Sequence, residues 1–199
     1  MIVVVAALKG GVGKTTSAVY LAAVASGSRR SVTIVDADPQ ASSADWLETA
    51  GDERLQKVDI TEAPTDRLLL KALSWVDDED LAIVDTPPGH ERLLAKAMEK
   101  ASAVVVPTRV GGVETPRVNA VLDMVPSGLP AGLVIASART YTRDYQDALV
   151  AWAEAGVPVW GTIPERVAIA AGPSDWLSAE GIEAYRNVWR RLQRALRGQ

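Results

Sequence analysis

A doubly wound α/β fold with a mostly parallel sheet is predicted by three observations. Short runs rich in Val, Ile and Ala recur without a two-residue alternation, the pattern of strands covered on both faces. Stretches with helical spacing lie between those runs, so strand and helix alternate throughout. At 199 residues, with 48% hydrophobic and 23% charged, the chain suits one packed domain over residues 1–199.

The first strand is expected over 2–7, an unbroken apolar run, and a helix over 15–25 follows a glycine-rich turn. A second strand over 31–35 ends at Asp36. A helix over 65–75 precedes a third strand over 81–84, which ends at Asp85. The remaining alternation places helices over 92–100, 113–125 and 145–155 and strands over 103–106, 133–136 and 157–161. Right-handed crossovers between parallel strands then put a ligand beyond their carboxyl ends.

The chain has no cysteine, which excludes disulfides, thiolate metal sites and cysteine nucleophiles, so any metal must use oxygen ligands. The apolar run 2–8 is too short to span a bilayer and lacks a signal peptide's basic flank and cleavage site, which predicts a soluble, non-secreted protein. The net charge of −4 argues against generic nucleic-acid binding. It is unevenly spread: residues 182–199 hold five arginines against Glu183, a local +4 that leaves −8 elsewhere.

Chemistry concentrates first in Gly10-Gly11-Val12-Gly13-Lys14-Thr15-Thr16, between the first strand and the first helix. Glycines let backbone N–H groups turn inward around phosphate oxygens, and the helix N-terminus adds positive charge. Lys14 would neutralise β- and γ-phosphates and the Thr15 hydroxyl would ligate Mg²⁺. These features predict a P-loop that binds a nucleoside triphosphate with Mg²⁺. The usual pattern begins with glycine six residues before the lysine; here Leu8 holds that place and Lys9 follows.

With Lys9 the segment 9–16 resembles the motif of the ParA/MinD class of deviant Walker A ATPases, K-G-G-x-G-K-[ST]-[ST], at every position. The resemblance implies that Lys9 reaches across an ATP-dependent homodimer to the partner's phosphates, coupling hydrolysis to dimerisation. Val35-Asp36-Ala37-Asp38-Pro39-Gln40 is similar to the D-x-D-P-Q segment of ParA proteins. By that likeness Asp38 orients the attacking water and Asp36 supports the Mg²⁺ shell. The two carboxylates are expected to point to opposite sides and so to have separate tasks. Without the family, the pair reads as a turn and helix cap before Ser42. Leu81–Asp85 followed by Thr86-Pro87-Pro88-Gly89 is a Walker B pattern, with Asp85 holding Mg²⁺ directly or through water. Arg139 and Pro164 follow late strands where the class builds its base pocket, and the class often carries Asn where this chain has Ala7.

The chain starts one strand before the P-loop, which suggests the short ParA type without a helix-turn-helix domain. Such a protein would be cytoplasmic and nucleoid-associated, would bind DNA non-specifically as its ATP dimer, and would respond to a separate centromere-binding adaptor. Arg186, Arg190, Arg194 and Arg197 form one ridge of the last helix, and Tyr185, Val188, Trp189, Leu192 and Leu196 share another face. The ridge is the expected DNA contact, with a solvated face of a packed helix as the plainer reading. Two alternatives remain: a MinD-like membrane-surface ATPase inserting this amphipathic helix, and a metabolic P-loop enzyme such as a dethiobiotin synthetase-like ligase. The Asp-Pro-Gln segment and Lys9 favour the switch, and no stable membrane insertion is expected.

Overall fold

The computed structural model describes residues 1–111, 114–170 and 177–198. Its centre is a seven-stranded sheet in the order β3-β2-β4-β1-β5-β6-β7, with every neighbouring pair parallel. The strands are β1 Ile2–Val5, β2 Val32–Asp36, β3 Val58–Glu62, β4 Leu81–Asp85, β5 Ala103–Thr108, β6 Ala131–Ala138 and β7 Val159–Pro164. The helices are α1 Lys14–Ala25, α2 Ser42–Thr49, α3 Asp66–Leu73, α4 Glu91–Met98, α5 Thr115–Asp123, α6 Arg143–Glu154, α7 Val167–Ala170 and α8 Ala179–Arg197.

Alternation along β1 divides the core. Val3 and Val5 join a layer with α1 and α8, while Ile2 and Val4 join one with α3, α4 and α5. Each face is therefore apolar at every position, which explains the absence of a hydrophobic–polar alternation. The strand order reverses beside β1, between β4 and β5, and the loop from β1 to α1 emerges at that switch point. Register brings three strand ends level: Val5 and Asp36 both lie opposite Asp85.

The structure adds β3, α2 and the short α7 to the elements read from sequence. Val58-Asp59-Ile60-Thr61-Glu62 is an edge strand with polar residues at alternate positions, so it lacks the continuous apolar run of the central strands. The expected helix 113–125 is α5, beginning at Thr115; Gly112 and Val113 lie outside the described residues. The last helix begins at Ala179, capped by the Ser178 hydroxyl, which accepts from Gly181 N.

Candidate nucleotide site

The loop 9–13 leaves β1 and turns through Gly11 at φ 73° and Gly13 at φ 96°, left-handed conformations that a side chain would strain. Gly13 also approaches the sheet closely, since an added Cβ would meet Ala136 Cβ at 3.4 Å. Helices α3, α6 and α8 cap their own first turns with Thr65, Thr142 and Ser178. Helix α1 has no side-chain cap and no acid in its first turn, so its N–H groups face the cleft, ready for an anion. Lys14 is nearly buried and its ammonium donates to the Lys9 carbonyl at 3.1 Å. Burial lowers the Lys14 pKa, with Asp85 and Asp38 opposing the shift. Val12 is buried, so this position offers a ligand only its backbone.

The two acids of the second segment separate because β2 ends at Asp36 and Asp38 stands in the loop beyond it, not by strand alternation, since residues two apart in a strand share a face. Asp36 turns inward at 1% exposure. Its Oδ1 accepts Asp38 N at 3.0 Å, and its Oδ2 accepts Ser43 N at 2.9 Å and Ala44 N at 3.2 Å, so this carboxylate caps α2. Asp38 lines the cleft, and its Oδ1 accepts Gln40 N at 3.0 Å. Asp85, at the end of β4, is also 1% exposed. Its Oδ2 accepts the Ser43 hydroxyl at 2.6 Å. Among the described residues, Asp85 Oδ1 is the one buried side-chain oxygen or nitrogen without a hydrogen-bond partner. Burial pushes the Asp85 carboxyl up to about 6, against the hydroxyls of Ser43 and Thr15. A desolvated carboxylate oxygen with no donor, beside a hydroxyl, is a setting that a hard divalent cation satisfies. Mg²⁺ thus fits Asp85 and Thr15, while Asp36 has given its oxygens to the backbone around it.

Above these groups opens a cleft of about 370 Å³, lined by Gly10, Gly11, Gly13, Lys14, Thr15 and Thr16 on one side and by Pro164 across from them. Arg109 and Arg166 also line it. Neither stands in a motif of the sequence, although the carboxyl end of β5 is a signal for Arg109. Arg139 is outside the lining, where its guanidinium makes a two-pronged pair with Glu165, Nε–Oε2 2.5 Å and Nη–Oε1 3.2 Å. Ser137, at φ 50°, holds a left-handed conformation at the cleft wall beside a break in the β6–β7 register. Lys9 is absent from the lining; its ammonium pairs with Glu114 Oε1 at 2.5 Å. Glu114 is a further residue that sequence reading missed.

Helix α8 buries Ile182, Tyr185, Val188, Trp189 and Leu192 against α1 and β7. Tyr185 reaches the cleft wall, shares a 2.9 Å hydrogen bond with Ser17 and stacks on Tyr20 with centroids 5.1 Å apart. The arginines lie on the exposed side. Arg186 pairs with Glu183 and Arg190 donates to Asn187 Oδ1 at 3.1 Å, whereas the guanidinium groups of Arg194 and Arg197 have no partner among the described residues. Arg190 and Arg194 border a groove of about 430 Å³ together with Arg191, which lies off the predicted ridge.

Residues 3–177 match the model of the CobQ/CobB/MinD/ParA nucleotide binding domain. The chain is 44% identical over 101 residues to maintenance of carboxysome distribution protein A of Gloeobacter kilaueensis, a match covering 50% of this chain and 45% of the relative. It is 33% identical over 109 residues to protein ParA of Rhizobium radiobacter, covering 54% and 48%. The matches thus span about half the length of these curated relatives. A plasmid partition protein from Borrelia burgdorferi B31, solved with AMPPNP bound, superposes with a TM-score of 0.79 at 21% identity, covering 97% of this chain and 98% of that one, and shares the fold.

Proposed function

The chain belongs to the CobQ/CobB/MinD/ParA nucleotide-binding family, and we propose that within it this protein is an ATP-hydrolysing dimeric switch of the ParA type, acting in DNA partition through ATP-dependent, non-specific DNA binding. The observation that carries the reading is the uncapped α1 N-terminus and Lys14 facing Asp38, with the open oxygen of Asp85 beneath.

The backbone of 10–13 and the first turn of α1 bind the phosphates. Lys14, already desolvated, supplies the counter-charge at the β/γ-bridge. Thr15 and Asp85 hold Mg²⁺, which when bound neutralises charge developing on the transferred phosphoryl group. Asp36 fixes the Asp38 loop, and Asp38 orients the attacking water. Pro164 borders the base, with Arg109 and Arg166 nearby and Arg139 one loop away. Lys9 leaves Glu114 to face the partner's nucleotide in a two-fold dimer. The arginines of α8 meet DNA phosphates, and an adaptor protein stimulates turnover. The Gloeobacter relative's name favours a second cargo for the same cycle, a protein body instead of DNA.

Lys14→Ala and Asp38→Ala test this together. Removing a buried cation costs about 3–5 kcal/mol, so Lys14→Ala should weaken ATP binding a hundredfold or more by calorimetry. Asp38→Ala should keep ATP affinity, lose hydrolysis and sediment as a dimer with ATP but not with ADP. Near-normal ATP binding by Lys14→Ala would remove the P-loop assignment, and an Asp38→Ala monomer at tens of micromolar would remove the switch.

A further inference from the structure

We propose that Ser43 is a positioning residue for the metal-binding carboxylate, tying Asp85 to the loop that carries Asp38. The inference rests on the ATP–Mg²⁺ reading above. Ser43 is fully buried in the first turn of α2. A serine there ordinarily serves its own helix, by capping or by bonding a nearby carbonyl. Here the hydroxyl donates instead to Asp85 Oδ2, 42 residues along the chain, at 2.6 Å.

The effect on Asp85 follows from carboxylate geometry. The terminal torsion of an aspartate has a broad, nearly two-fold energy profile, so burial alone does not decide which oxygen points where. A short, charge-assisted bond from a fixed helical residue does decide it. With Oδ2 held by Ser43, Oδ1 is left without a donor. Such outer bonds orient metal ligands in general, and their loss weakens metal binding about 10–100-fold.

The same residue also reaches the catalytic loop. Ser43 N and Ala44 N donate to Asp36 Oδ2, and Asp36 Oδ1 receives Asp38 N. One short chain of bonds therefore runs Asp85–Ser43–Asp36–Asp38. Side chain and backbone of Ser43 each hold one of the two carboxylates that register sets level at the ends of β2 and β4.

The test is Ser43→Ala, which removes the hydroxyl, suits a helix and leaves both backbone bonds in place. Mn²⁺ affinity of the full chain, saturated with a non-hydrolysable ATP analogue, is read by electron paramagnetic resonance. It should fall roughly tenfold, and the Mg²⁺ concentration for half-maximal hydrolysis should rise in step. Affinity for the analogue without metal should stay at the parent value, and Ser43→Thr, which restores the hydroxyl, should recover Mn²⁺ binding if it folds. Parent-like Mn²⁺ affinity in Ser43→Ala overturns the proposal and leaves the ATP reading standing; parent-like ATP affinity in Lys14→Ala overturns the reading beneath both.

Discussion

Asp85→Asn should make the nucleotide-free protein more stable and, at the same time, unable to use Mg²⁺. The carboxyl is pushed from 3.8 up to about 6 by burial. A raised carboxyl pKa means that the folded state holds the proton more tightly than the unfolded one. The ionised group then costs stability, by an amount that grows as pH rises from about 4 through about 6 and is constant above. At about 1.4 kcal/mol per pKa unit the cost at neutral pH is about 3 kcal/mol. Asparagine keeps the shape and still accepts from Ser43 with its oxygen, while its amide takes the place of Oδ1. Imperfect pairing of that amide removes part of the gain, leaving about 1–3 kcal/mol, or a Tm rise of roughly 2–12 °C for a chain of this size. The gain should shrink by about 1.4 kcal/mol at pH 5 and by about 3 kcal/mol at pH 3, where both proteins are neutral at this position and only the imperfect amide pairing is left. Scanning calorimetry in metal-free buffer between pH 3 and 8 measures it, and ATP with Mg²⁺ should then raise the Tm of the parent by more than that of Asp85→Asn. An Asp85→Asn protein no more stable than the parent at pH 7.5, or one stabilised equally by Mg²⁺-ATP, would refute the assignment of Asp85 as a buried, metal-ready carboxylate.

Replacing Arg190, Arg194 and Arg197 by Glu should abolish duplex binding and flatten the salt dependence, by about 0.9 in log–log slope for each phosphate that is no longer neutralised. Basal hydrolysis and the ATP dimer should survive; parent-like DNA binding at matched salt would make the ridge a solvated face and turn attention to Arg139 and Arg143. Glu114→Gln should release Lys9 from its pair within the subunit. Each pair of this half-exposed kind is worth about 0.2–1 kcal/mol, and two are broken per dimer, so ATP-dependent dimerisation should tighten roughly 2–30-fold by analytical ultracentrifugation. Weaker dimerisation would mean that Glu114 presents Lys9 instead of restraining it.

Legibility in the sequence follows how local each constraint is. The P-loop can be read because its phosphate cradle is built from seven consecutive residues whose conformations need glycine at Gly11 and Gly13. The central strands can be read because both faces are buried. Edge strand β3 and the short helix α2 cannot, since tertiary packing and the Asp36 cap hold them more than local propensity does. The same limit explains Ser43 and Glu114. Each matters through a partner at long separation, 42 residues to Asp85 and 105 to Lys9. Nothing in a single residue's neighbourhood signals such a pairing. Asp36 and Asp38 lie between these cases: both acids can be read from the segment, but they separate because β2 ends at Asp36, and only the fold reveals that Asp36 spends its oxygens on backbone N–H groups.

The last helix shows why an amphipathic pattern alone leaves DNA, membrane and solvent open. Its apolar face is already occupied. Ile182, Tyr185, Val188, Trp189 and Leu192 fill the layer between α8, α1 and β7, and Gly161 is so close that an added Cβ would sit 2.3 Å from Val188 Cγ2. Entry into a bilayer would keep these five side chains out of water but would uncover the apolar faces of α1 and β7 beneath them, a comparable area whose exposure costs on the order of 10 kcal/mol. That is comparable to the whole stability of a domain. Entry of α8 into a bilayer would therefore expose the core that holds α1, and with it the P-loop, whereas contact through the arginines requires no unpacking. The Ser17–Tyr185 bond and the Tyr20–Tyr185 stack further tie α8 to the first turns of α1. These contacts join the helix that bears the basic face to the helix that opens the nucleotide site.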